Sequence, residues 1–153
     1  MPTGDQAVPR AFKIWRTFAL YSPWFLIGRI LQMGTVKELS TDEVAAYDAP
    51  FPGARYKAGS RAFPKLVPIR PDDPASDANR AAWRTYKEWT KPFLTTFSNR
   101  DPIMRGGEKV WQESVPGAKG QAHVIIRNAG HFLQEDKGPE IAEVLLRFIA
   151  RGT

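Results

Sequence analysis

The stretch His123-Val-Ile-Ile-Arg-Asn-Ala-Gly-His-Phe-Leu-Gln-Glu-Asp136 joins a short apolar run, a glycine-containing loop that carries His131, and the acidic opening of a helix. Such a run predicts a buried strand over 123–126 and a helix after the loop. Downstream, Ile141, Val144, Leu145, Phe148 and Ile149 recur at helical spacing, one apolar stripe to lay against a sheet. Upstream the rhythm repeats: Pro92-Phe-Leu-Thr-Thr-Phe97 reads as a buried strand and Glu108–Ser114 as a helix. The order is βαβα, the mark of an α/β fold. Two strands cannot bury that stripe and two helices by themselves, so further strands are expected from another chain or from sequence not contained here.

The first half has a different character. Phe12, Trp15 and Ala19 are placed to share a helical face, and Ser40-Thr-Asp-Glu43 predicts a capping box opening a helix toward Tyr47. Prolines and glycines crowd the region between Ala49 and Pro74 and predict turns and short helical pieces with no strand. From Ala75 to Trp89 the residues Ala78, Ala82, Trp83, Tyr86 and Trp89 follow a helical pattern, with Asp77 near the amino end; Trp83 and Trp89 read as core residues.

Composition narrows the function. The 153 residues are 42% hydrophobic and 12% aromatic, which suits a packed globule. Without cysteine there is no disulfide framework, thiolate metal site or cysteine nucleophile. The amino-terminal residues do not resemble a secretory signal, and the most apolar stretch, Trp24–Leu31, is too short and interrupted to span a bilayer. A soluble, cytoplasmic protein is expected. The net charge of +6 is dispersed, with no two Lys or Arg adjacent, and reads as a solvated surface rather than a nucleic-acid face.

Only His123 and His131 could serve as bases near neutral pH. His123, at the start of a strand, reads as structural. His131 stands in a loop at the carboxyl end of a strand, where open α/β sheets place their sites, and Gly130 is expected to allow a sharp turn before it. Asp101 holds the matching place after the preceding strand. It is either a turn former or the carboxylate that fixes one imidazole nitrogen and frees the other as a base.

The segments Asp101-Pro-Ile-Met-Arg-Gly-Gly, Ala129-Gly-His-Phe-Leu-Gln-Glu-Asp136, Ala46-Tyr-Asp-Ala-Pro-Phe-Pro52 and Tyr56-Lys-Ala-Gly-Ser-Arg-Ala-Phe-Pro64 are similar to segments of haloalkane dehalogenases, which are α/β-hydrolases. The resemblance runs from Thr3 to the last helix. It implies an incomplete α/β-hydrolase fold, with a helical cap over 1–89 and the last two strand–helix units of the core sheet over 90–153. It further implies that Asp101 is the triad acid, His131 the base, Trp15 a halide-binding indole and Phe12 part of the substrate pocket, with Trp24 the rival for the halide. No cofactor or metal is implied. The partners would be a haloalkane, halide, water and either an amino-terminal half or a second copy.

The same resemblance exposes departures. No small-x-Asp-x-Gly elbow for the nucleophile occurs, nor an upstream oxyanion loop, so the chain by itself is expected to be inactive. Ser98 stands where the family usually has glycine, and Arg100 is placed to compete for the Asp101 carboxylate. An epoxide hydrolase-like fragment and a non-catalytic module binding apolar ligands remain the other readings.

Overall fold

A computed structural model describes residues 1–151. Its elements are α1 (Arg10–Tyr21), α2 (Ile27–Gly34), α3 (Thr41–Asp48), α4 (Ala58–Leu66), α5 (Ser76–Lys87), β1 (Thr96–Ser98), α6 (Glu108–Ser114), β2 (Val124–Ile126) and α7 (Leu133–Arg151), with 3-10 turns at Ala54–Lys57 and Pro116–Ala118. They form two compact units, residues 1–31 with 39–84, and residues 32–38 with 85–151. The short stretch 32–38 thus clusters with the second unit although it lies far earlier in the chain.

The first unit is helical. Ala19, Phe25 and Ile27 form its buried centre, with Trp15, Phe18 and Tyr47 packed around them. Arg61 ties α4 to the carboxyl end of α1: its guanidinium donates to the carbonyls of Ala19 (3.0 Å) and Ser22 (2.8 Å) and covers the Phe25 ring. Carbonyls at a helix end lack intrahelical partners, and here a cation supplies them. Gly28 lets α2 approach α3, because a Cβ there would lie 2.5 Å from the Val44 carbonyl oxygen. The expected capping box is formed: Ser40 Oγ accepts the Glu43 N–H, and the Glu43 carboxylate accepts the Ser40 N–H at 2.7 Å. The proline-rich region contains helical pieces and no strand, as its composition requires. The amino-terminal residues are tied to α5, where Arg80 forks onto Asp5 and the Trp83 indole N–H donates to the Met1 carbonyl.

In the second unit β1 and β2 pair in parallel, Thr96 opposite Val124 and Ser98 opposite Ile126, and α7 packs on both. The first strand is shorter and later than the apolar run 92–97 suggests. Pro92 has no N–H, the Phe93 N–H is taken by the Gly117 carbonyl, and the Thr95 N–H by His123 Nδ1, so the ladder begins only at Thr96. Trp89 is a second correction: it lies beyond the end of α5 and is 37% exposed, with the Lys91 ammonium near its ring.

The stripe of α7 is buried only in part. Val144 is covered, whereas Leu145, Leu146 and Ile149 are 44%, 67% and 61% exposed, and Ile125 of β2 is also open. The helix bends at Lys137, just ahead of Pro139, whose ring restricts the preceding backbone and supplies no N–H. Among the described residues no helix is long and apolar enough to cross a membrane.

Candidate active site

The loops that follow β1 and β2 leave the sheet at its carboxyl edge and are laced together. The Asn99 N–H donates to the Ile126 carbonyl and the Arg100 N–H to the Ala129 carbonyl, each at 3.1 Å, while Asn99 Oδ1 accepts the Asn128 N–H at 2.9 Å. Asn128 has φ 54°, a left-handed conformation that asparagine tolerates better than most residues. The sharp turn therefore falls at Asn128 and not at Gly130. What requires Gly130 is proximity, since a Cβ there would sit 2.4 Å from the Gly34 carbonyl oxygen.

This lacing brings the two side chains together. His131 Nδ1 lies 2.9 Å from Asp101 Oδ2, and Asp101 Oδ1 accepts the Ile103 N–H at 2.7 Å. A carboxylate only accepts, so Nδ1 is the donor, and in the neutral imidazole Nε2 keeps its lone pair. Asp101 is buried, while the His131 side chain is 39% exposed. Arg100 does not compete: it is exposed and forms no ion pair with Asp101 among the described residues. Ser98 is buried and its hydroxyl donates to the Gly130 carbonyl at 2.6 Å, which joins the end of β1 to the peptide before His131.

His123 is structural. Its Nδ1 accepts the Thr95 N–H at 3.1 Å and its Nε2 lies 2.8 Å from the Ala118 carbonyl, which fixes the proton on Nε2, the opposite tautomer to that of His131. Phe12 and Trp15 lie on α1 in the first unit, both half-buried. Trp15 stacks obliquely with Phe18 and Phe25 at 5.9 and 6.0 Å, and its indole N–H has no hydrogen-bond partner among the described residues. Trp24 is 77% exposed.

Asp136 is the residue the sequence reading passed over. Its carboxylate accepts the N–H groups of Gly130 (2.7 Å), Lys37 (2.7 Å) and Val36 (2.9 and 3.0 Å). Burial works to raise its pKa, but those three donors, with the charge of Lys137, outweigh burial and hold it below the usual carboxylate range. Its place in the first turn of α7 was the available signal.

A carboxylate and an imidazole in contact on consecutive loops at the carboxyl edge of parallel strands, backed by an amphipathic helix, fit the α/β-hydrolase fold, here with an incomplete sheet. Over 149 residues the chain is 50% identical to a haloalkane dehalogenase of Psychrobacter cryohalolentis, covering 97% of this chain and 49% of that protein. Over 146 residues it is 51% identical to one of Mycobacterium marinum, covering 95% and 49%. Among solved structures, the tetrameric haloalkane dehalogenase DpaA of Paraglaciecola agarilytica aligns with a TM-score of 0.77 and 26% identity over 90% of this chain and 46% of that one. DatA of Agrobacterium tumefaciens aligns at 0.75 with 16% identity, covering 95% and 53%, a likeness of fold alone. No family model matches the chain. Along nearly its whole length the chain is similar to the carboxy-terminal half of these haloalkane dehalogenases. It spans about half the length of the curated relatives it matches.

Proposed function

We propose that this chain supplies the cap and the water-activating pair of a haloalkane dehalogenase. Residues 1–89 would form the cap, apart from 32–38, and 90–153 the last part of the core. The observation that carries the reading is the 2.9 Å contact of His131 Nδ1 with the buried Asp101 carboxylate at the strand ends. In the reaction an aspartate supplied from outside these residues attacks the halogen-bearing carbon, and the halide leaves with the bonding electrons. His131 Nε2 then takes a proton from water, whose oxygen attacks the ester carbonyl; the alcohol leaves with a proton and the carboxylate is restored.

Trp15 is the proposed donor to the leaving halide and Phe12 a wall of the substrate pocket. An indole N–H donates and cannot accept, which suits a halide, and that of Trp15 is uncommitted among the described residues. The exposed apolar face of α7 and the short sheet call for an amino-terminal half or self-association to cover them. The test uses the chain paired with the amino-terminal half of a related dehalogenase. His131→Gln should release about one halide per site and stop with a trapped alkyl adduct visible by mass spectrometry, as expected of a base needed only for the second step. Continued turnover would remove His131 from the mechanism.

A further inference from the structure

The backbone on both sides of His131 is held by hydrogen bonds. The Ala129 carbonyl accepts the Arg100 N–H, the Gly130 carbonyl accepts the Ser98 hydroxyl, and the Phe132 N–H donates to the Gly34 carbonyl at 3.1 Å. Two of these anchors belong to the β1 side. The other side is the stretch 32–38, which has no strand or helix of its own beyond the end of α2 and depends on other contacts for its shape. Gln32 contributes, its amide donating to Thr35 Oγ1 and the Lys37 carbonyl.

What joins 32–38 to the His131 loop is the Asp136 carboxylate. One oxygen gathers the Val36 and Lys37 N–H groups, and the other takes the Gly130 N–H one residue before the imidazole. The contact is close as well as polar, since a Cβ on Gly34 would lie 2.5 Å from the Phe132 ring and one on Gly130 would meet the Gly34 carbonyl. Lys137 is the neighbouring charge acting on Asp136, and Lys37 pairs through its own ammonium with Glu135.

We propose that Asp136 is a positioning residue: by clamping the 34–37 backbone against Gly130 it holds the His131 imidazole in reach of Asp101 and thereby fixes its Nδ1–H tautomer. This deepens the reading of His131 as a base and rests on that reading for its importance. The lowered pKa of Asp136 agrees with it, because only the ionised carboxylate accepts all three N–H groups.

The chain contains two histidines whose contacts call for opposite tautomers, which gives the experiment an internal control. With ring-15N histidine label, long-range proton–nitrogen correlation spectra at neutral pH should show Nδ1–H for His131 and Nε2–H for His123. Asp136→Ala should abolish the Nδ1–H pattern at His131, moving it to the tautomer mixture of a free imidazole, and leave His123 unchanged. If His123 is lost too, the variant has lost its fold and Asp136→Asn decides; it retains one carbonyl acceptor and should shift His131 part of the way. A His131 pattern unmoved while His123 is intact, in either variant, overturns the proposal, as does a parent chain lacking the Nδ1–H pattern. No step requires haloalkane turnover, so failure of the catalytic reading and failure of the clamp give different results.

Discussion

Gly130→Ala is the smallest change that tests whether close backbone approach shapes the His131 loop. The added methyl would lie 2.4 Å from the Gly34 carbonyl oxygen and 3.1 Å from its carbon, where ordinary contact begins near 3.4 Å. The two backbones must therefore separate by about 1 Å. If the movement falls on the His131 side, the 2.9 Å bond to Asp101 has only about 0.6 Å to give before it ceases to be a hydrogen bond. If it falls on Gly34, the Phe132 N–H loses its acceptor and the Asp136 clamp opens. Overpacking of this kind costs about 1–3 kcal/mol. At roughly 2–4 °C per kcal/mol for a chain of this size, the midpoint should fall by about 2–12 °C. Circular dichroism melts at matched protein concentration measure it, with Gly59→Ala as control, since nothing lies within 4 Å of a Cβ there. That control should melt unchanged or slightly higher, as expected for alanine replacing glycine in a helix. A Gly130→Ala chain that melts with the parent would refute the tight approach.

Three other outcomes follow from the site and the exposed surfaces. The chain alone, incubated with 1,2-dibromoethane, should release no bromide above blank by ion chromatography; sustained release would mean that one of its own carboxylates is the nucleophile. Sedimentation should find it associated, because Leu146 and Ile149 of α7 and Ile125 of β2 are open to solvent; a stable monomer would show that these faces need no cover. The Asp136 carboxyl is depressed in the folded state, so its contribution to stability is complete above the ordinary carboxylate range, about pH 4, and is lost as pH falls through the lowered value. Urea midpoints should drop below that pH, and Asp136→Asn should flatten the decline; an equal slope in both would remove Asp136 as its source.

Local chemistry was legible wherever the deciding partners lie close in sequence. The capping box needs only Ser40 and Glu43, three residues apart, and α6 keeps the bounds its pattern predicts. That Asp101 and His131 meet is legible because each follows a strand at the carboxyl edge, a place set by topology and not by either residue's neighbours. The strand at 92–97 was overread, since hydrophobicity cannot reveal that its N–H groups are claimed by Gly117 and His123. Sequence neighbours suggest a turn at Gly130, whose constraint is the distant Gly34, and a competitor at Arg100, which faces solvent. Asp136 was missed for the same reason: its donors at Val36 and Lys37 are about a hundred residues away.

That separation also bears on how the second unit can be assembled. A fragment beginning at Thr85 would contain both strands, the Asp101–His131 pair and α7, yet its Asp136 would have only Gly130 to bind. Closing a ring of 100 residues costs about (3/2)RT ln n in chain entropy, roughly 4 kcal/mol before any constant term, and is recovered only once the Val36 contact forms. Contacts of such long range tend to form late. The strand pair and α7 need no such closure to meet, whereas the three donors to Asp136 are complete only once the stretch 32–38 has been brought back to them.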